Sequence, residues 1–160
     1  MAPILNHYDR KIQYSSLRIR RSLNFGKWTI DNSIMYQVVN QNDNILNLPQ
    51  FISRNTLYFK ERIFKNTLSI QTGINFKIFS KFYANEYNPL ISAFHVQSQK
   101  KIGGFPLFDF FFNAKIRQTK IFIIAEHINS SISGNSFYST PECVYRDFGV
   151  RFGFKWNLFN

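Results

Sequence analysis

Between Asn66 and Phe82 the chain alternates apolar and polar side chains with a period of two. Leu68, Ile70, Thr72, Ile74, Phe76, Ile78 and Phe82 share one parity. Ser69, Gln71, Gly73, Asn75, Lys77 and Lys81 share the other, with Phe79 the exception. Period two marks a β-strand with one face in an apolar medium and the other in water. Length is the stronger constraint. Strands of soluble proteins run to about five or six residues. This run is about twice that or more, long enough to cross a bilayer at a tilt and extend beyond it.

The pattern recurs along the chain. In FPLFDFFFNAKI, Phe108, Phe110, Phe112, Ala114 and Ile116 oppose Asp109, Asn113 and Lys115. Trp28, Ile30, Ile34, Tyr36 and Val38 fall together, interrupted by Asn32. Around 12–25, Leu17, Ile19, Leu23 and Phe25 share a face with Arg21. Around 51–64, Leu57, Phe59 and Ile63 share one with Glu61. The last run, RDFGVRFGFKWNLFN, divides into Phe148, Val150, Phe152, Phe154, Trp156 and Leu158 against Asp147, Gly149, Arg151, Gly153, Lys155 and Asn157. A soluble sandwich with its apolar faces packed together is the ordinary alternative, but strands this long and this rich in Phe are unusual there.

Connection lengths supply a topology. Phe25-Gly26-Lys27, Phe64-Lys65-Asn66 and Arg117-Gln118-Thr119 read as tight turns, whereas Asn42 to Gln50, Asn85 to Gly104 and Asn129 to Glu142 are long and polar. Outer-membrane barrels alternate short periplasmic turns with long external loops. That alternation holds only if Leu90 to Ser98 belongs to a loop, which leaves about seven spanning strands. Single-chain bacterial barrels have an even number, and an open sheet edge in lipid leaves backbone groups unsatisfied. The expectation is an all-β, antiparallel transmembrane β-barrel, with this chain the C-terminal portion of a larger one. Residues 1–160 then form a single barrel segment, with 1–11 a lead-in and 12–159 the strands and loops.

The formal net charge is +11, from 20 Lys+Arg against 9 Asp+Glu. Such a balance favours an anionic partner: nucleic acid, lipid headgroups, or anions in a channel. A single-strand nucleic-acid binder needs aromatics and cations on one face; here they lie on opposite parities, which argues against nucleic acid. The single Cys143 excludes an internal disulfide and any zinc site built on several thiolates. MAPILNHYDRKIQY lacks an apolar stretch of signal-peptide length, and no window reaches the roughly 18 apolar residues of a transmembrane helix. No catalytic, metal or cofactor site is expected. His7, His95 and His127 are scattered and read as solvated or rim residues, the serines of HINSSISGNSFYST read as a loop, and Glu126 and His127, being adjacent, should point to opposite faces.

Three stretches carry a family pattern: LYFKERIFKNTLSIQTGINFKIFSKFYANEYNPL, KKIGGFPLFDFFFNAKIRQTKIFIIAEHINS and YRDFGVRFGFKWNLFN. Gly103 to Pro106, Asn113 to Ile116 and the closing RFGFKWNLF are its strongest pieces. In order and spacing the chain resembles the Putative porin family of Bacteroidetes outer membranes over roughly residues 57–160. The resemblance implies an outer-membrane barrel and diffusion channel of a Gram-negative bacterium.

With the apolar parity towards lipid, Lys77, Lys81, Lys115, Arg151 and Lys155 become candidate lumen-facing cations, with Asp109 and Asp147 as counter-charges. Passive diffusion of small solutes with an anion preference follows as an expectation; a barrel with a plugged lumen, serving assembly or partner docking, is the alternative. The inward glycines Gly73, Gly149 and Gly153, beside crowded aromatic neighbours, would let the strands bend and the barrel wall curve. Arg21, near the turn at Gly26, would snorkel to the rim, and Trp28 and Tyr36 suit interfacial girdles. Phe152, Phe154, Trp156, Leu158 and Phe159 form a candidate C-terminal signal for the barrel assembly machinery, with Phe159 out of phase. The expected partners are outer-membrane lipid, that machinery and small solutes; the oligomeric state is left open.

Overall fold

The computed structural model describes residues 10–133 and 137–157. The chain opens with four long strands, β1 (Gln13–Phe25), β2 (Trp28–Asn40), β3 (Phe51–Ile63) and β4 (Leu68–Phe79). Four short ones follow: β5 (Phe82–Tyr83), β6 (Glu86–Asn88), β7 (Ala93–His95) and β8 (Lys101–Ile102). Then come β9 (Leu107–Ile116), β10 (Thr119–Glu126), the one-turn α1 (Ser130–Ser133), β11 (Tyr138–Thr140), β12 (Cys143–Val144) and β13 (Gly149–Trp156). The long strands build one seven-stranded antiparallel sheet in the order β1-β2-β3-β4-β9-β10-β13. This is the expected all-β class and strand number. The sheet is not closed: β1 and β13 are its edges.

Short and long connections alternate as expected. Phe25 lies opposite Trp28, so Gly26 and Lys27 alone make the first turn, and Gly26 takes φ 62°, a left-handed conformation open to glycine at no steric cost. Ile116 opposite Thr119 leaves a two-residue turn at Arg117 and Gln118. The third turn, 64–67, carries three consecutive left-handed residues, Phe64, Lys65 and Asn66. The segment around Leu90 does not cross: β6 and β7 form a small hairpin inside the loop between β4 and β9.

Register turns the alternation of single strands into two continuous faces. Leu23, Ile30, Leu57, Ile74, Phe110, Ala125 and Val150 follow one another directly across the sheet. The apolar parities of all seven strands therefore coincide on one face. Nothing among the described residues lies over it as a second layer, since the three other sheets are two-stranded and lie in the long loops. Central Ile74 and Phe110 stay 42% and 39% exposed, so the lack of cover is not an edge effect.

What core the chain has sits elsewhere, where the long loops fold onto the polar face at its long-loop end. Ala84, Ile102, Leu107 and Phe137 are buried there with Pro141. Phe79, the parity exception in β4, packs its ring against Phe82 and Phe105, and Phe105 meets Phe137 at 4.0 Å between centroids. Gln97 organises the middle loop: its amide donates to Ala84 O and Lys100 O and accepts from the Gln99 and Lys100 N–H groups. Asn47 reaches Gln97 O from the first loop, and Lys100 donates to Pro141 O (2.6 Å) in the third. The three loops are thereby tied together.

This layer corrects several expectations. Phe82 leaves β4 for the short β5 and does not share its apolar face. The final strand begins at Gly149, so Asp147 and Phe148 precede it. His127 is neither solvated nor at a rim. It is 2% exposed, with φ 54°, its ring between Phe137 and Tyr145 and its Nδ1 bonded to Arg146 O at 2.9 Å. Because it lies beyond β10, strand alternation does not govern its direction. His95 pairs with Glu86 across the β6–β7 hairpin at 3.2 Å. His7 lies outside the described residues.

Candidate functional site

The apolar face has the dimensions of a bilayer core. From Trp28 to Val38, β2 advances about 33 Å at about 3.3 Å per residue, or about 25 Å along a barrel axis for strands tilted about 40°. That equals the outward apolar band of transmembrane barrels. Trp28 and Trp156 both stand at its short-turn end, and Tyr36 lies opposite Phe51 near the other. Phe152, Phe154 and Trp156 project from β13 on this face; Leu158 and Phe159 lie outside the described residues. The Arg21 backbone is set back from the turn pair Phe25 and Trp28. It lies opposite Asn32, which lies opposite Asn55, so a short polar row crosses the band on β1, β2 and β3.

The other face carries the charge. Lys77, Lys115, Arg151 and Lys155 all occupy it, as their parities require. Lys81 lies off the strands between β4 and β5, with its side chain beside Gly104, and Asp147 is exposed in the segment before β13. The charges of this face are not equivalent. Lys77 Nζ contacts Asp109 Oδ2 at 2.5 Å, and the same carboxylate accepts the His127 backbone N–H at 3.0 Å. Asp109 is buried, and it joins the barrel wall to the loop layer. Glu126 holds both Arg151 (2.5 Å) and Arg146 (3.2 Å). Among the described residues, Lys115 and Lys155 have no carboxylate partner.

Register adds cations that reading single strands missed. Arg20, Ser33, Arg54 and Lys77 form one row across β1 to β4. Arg18 donates to Met35 Sδ at 2.9 Å, and Arg18, Arg20, Ser33, Met35, Ile52 and Arg54 line a hollow of ≈ 340 Å³. A second row, Arg62, Ser69, Lys115, Lys120 and Lys155, crosses β3 to β13 near the short turns. On β3 the rows are eight residues apart, from Arg54 to Arg62, or about 26 Å. The signal was present in sequence: even-numbered positions of β1 and β3 oppose Leu17, Ile19 and Leu57, and that parity holds Arg18, Arg20 and Arg54.

Two glycines on this face make room for aromatics. Gly73 lies between Tyr58 and Phe111, and a Cβ on it would stand 2.6 Å from Tyr58 Cβ. Gly153 lies opposite Phe122, whose ring covers it, whereas nothing approaches Gly149. At Gly73 it is the close approach of β3, Leu57 O and Tyr58 Cα and Cβ, that leaves no room for a side chain; at Gly153 the Phe122 ring shields a strand glycine.

Long antiparallel strands in one sheet, with an uncovered apolar face of bilayer height and a cationic, hydrated reverse, define the wall of a membrane-spanning β-barrel. A family model described as Putative porin matches residues 4–160, and the chain belongs to that family. A search of the curated proteins and of the solved structures gave no match. Family membership carries with it an outer-membrane location and a porin-like function.

Proposed function

We propose that this chain forms part of the wall of a passive diffusion channel in the outer membrane of a Gram-negative bacterium, and that the channel favours small anions. One observation carries the reading: the seven strands in register put every apolar parity on the uncovered face and set Arg20, Arg54, Lys115, Lys120 and Lys155 on the other. Inward cations lower the energy of an anion in a narrow aqueous path and raise that of a cation. The open edges at β1 and β13 call for further strands, since an unpaired strand edge in hydrocarbon leaves backbone groups unsatisfied at several kcal/mol each. In this reading Phe152, Phe154 and Trp156, with Leu158 and Phe159, serve the barrel assembly machinery as the terminal signal.

The loop layer on the polar face supports a second reading, a barrel whose mouth is occluded at the long-loop end and whose task is docking or assembly. One experiment separates the two. The full-length protein is inserted into a planar bilayer under a KCl gradient. A steady current with a reversal potential on the chloride side is expected. A barrel that inserts, resists heat in detergent and passes no current would overturn the channel and leave the occluded barrel.

A further inference from the structure

The cations of the polar face fall into two groups, and the difference between them is chemical. Towards the loops, Lys77 has Asp109, and Arg151 and Arg146 share Glu126. At the short-turn end Lys27, in the first turn, has Glu61. On β9, β10 and β13 at that end the pattern stops. Lys115 lies directly opposite Lys120, and Lys120 directly opposite Lys155, on three neighbouring strands. Among the described residues none of the three has an acidic partner.

Like charges directly opposite each other destabilise a sheet. A single carboxylate at position 120 would pair with both neighbours, yet a third cation stands there. The strands are about 4.8 Å apart, so the outer two backbones are about 10 Å apart. Their flexible stems let three ammonium groups converge on one multiply charged ion. A hollow of ≈ 500 Å³ opens beside the three lysines, and Ser69, Gln71 and Asn113 line it as well. These three side chains make no hydrogen bond within the protein among the described residues, so their hydroxyl and amide donors are available. The loop layer lies at the opposite end of the strands and leaves this end open.

We propose that Lys115, Lys120 and Lys155, with Ser69, Gln71 and Asn113, form a binding station for soluble polyvalent oxyanions at the short-turn mouth. The proposal rests on the polar face being the lumen. A monovalent ion such as chloride satisfies one ammonium at a time, whereas a polyvalent oxyanion neutralises two or three and accepts the neighbouring O–H and N–H donors. The station therefore discriminates by valence, which a general anion preference does not.

The test is calorimetric titration of the full-length protein in phosphatidylcholine nanodiscs, at low ionic strength, with sodium pyrophosphate. Saturable binding is expected. The variant Lys115→Gln/Lys120→Gln/Lys155→Gln should weaken it about tenfold or more, three exposed ion-pairing groups being lost together. A second triple variant, Arg10→Gln/Lys11→Gln/Lys101→Gln, removes the same net charge at the opposite end of the strands and should stay within about twofold of the parent. Lys120→Gln alone is measured beside them, because the central lysine feels both neighbours and its loss relieves repulsion in the fold. Equal weakening by the two triple variants, or binding of chloride as tight as pyrophosphate, would overturn the station. So would displacement of pyrophosphate by phosphatidylglycerol in the disc, which would make lipid headgroups the occupant. The titration does not depend on ion flow, so a silent bilayer recording would sink the channel and leave this result standing on its own.

Discussion

The assignment of faces can be tested with two adjacent residues. Ile74 lies near the middle of β4, directly between Leu57 and Phe110 on the apolar face. With about 3.3 Å per residue and a tilt of about 40°, it falls within a few ångströms of the centre of the apolar band. A lysine there costs about 2–4 kcal/mol in lipid, a drop of about 30- to 700-fold in the ratio of folded to unfolded protein. Asn75 is the next residue and points the other way, opposite Asp109. Asn75→Lys forfeits the hydrogen bond that Thr56 Oγ1 donates to Asn75 Oδ1 at 2.8 Å. That bond is worth about 0.5–1.5 kcal/mol, and the new cation meets water and a nearby carboxylate in return. The assay is urea unfolding of the full-length protein folded into phosphatidylcholine vesicles, followed by tryptophan fluorescence. Ile74→Lys should be the more damaging change by at least about 1 kcal/mol. Equal costs, or a larger cost for Asn75→Lys, would mean that the apolar parity does not face lipid, and the whole assignment would fall with it.

Two further changes are read by the same unfolding assay. Arg21→Leu, which removes the cation from the polar row with Asn32 and Asn55, should stabilise the protein by about 1–3 kcal/mol, within the range for relieving a lipid-facing arginine; a loss of stability would show that the row has a partner. Gly153→Val should cost about 1–3 kcal/mol as overpacking, because its Cβ would meet Phe122 Cζ at 2.7 Å, whereas Gly149→Val, with nothing near it, should cost far less.

The spanning strands and their faces were legible in the sequence because each residue there faces one of two media. Lipid and water impose a period of two that does not depend on what the neighbouring strand contains. The tight turns then anchor the register: two residues between Ile116 and Thr119 force Lys115 against Lys120 by counting alone. The Lys115–Lys120 pair was therefore readable from one hairpin, whereas Lys155 joins them through β13, beyond a long loop whose length fixes no register. In β1 the pattern was obscured by Arg21, a cation on the apolar parity, which drew attention from Arg18 and Arg20 on the polar one.

The loop layer was not legible, and the reason is physical. Its burial comes from contacts between segments distant in sequence, such as Phe105 with Phe137 and Lys100 with Pro141, and no periodicity records them. An amide such as Gln97, or a histidine such as His127, reads as polar and exposed until the backbone groups that it satisfies are known. The consequence for function is an asymmetry between the two ends of the wall. Beneath the long loops, Asp109 and Glu126 take up Lys77, Arg146 and Arg151. At the short-turn end Lys27 has Glu61, but Lys115, Lys120 and Lys155 have no carboxylate partner among the described residues and the face is open. In the proposed channel an anion would meet the lysine row at that end, away from the packed loops.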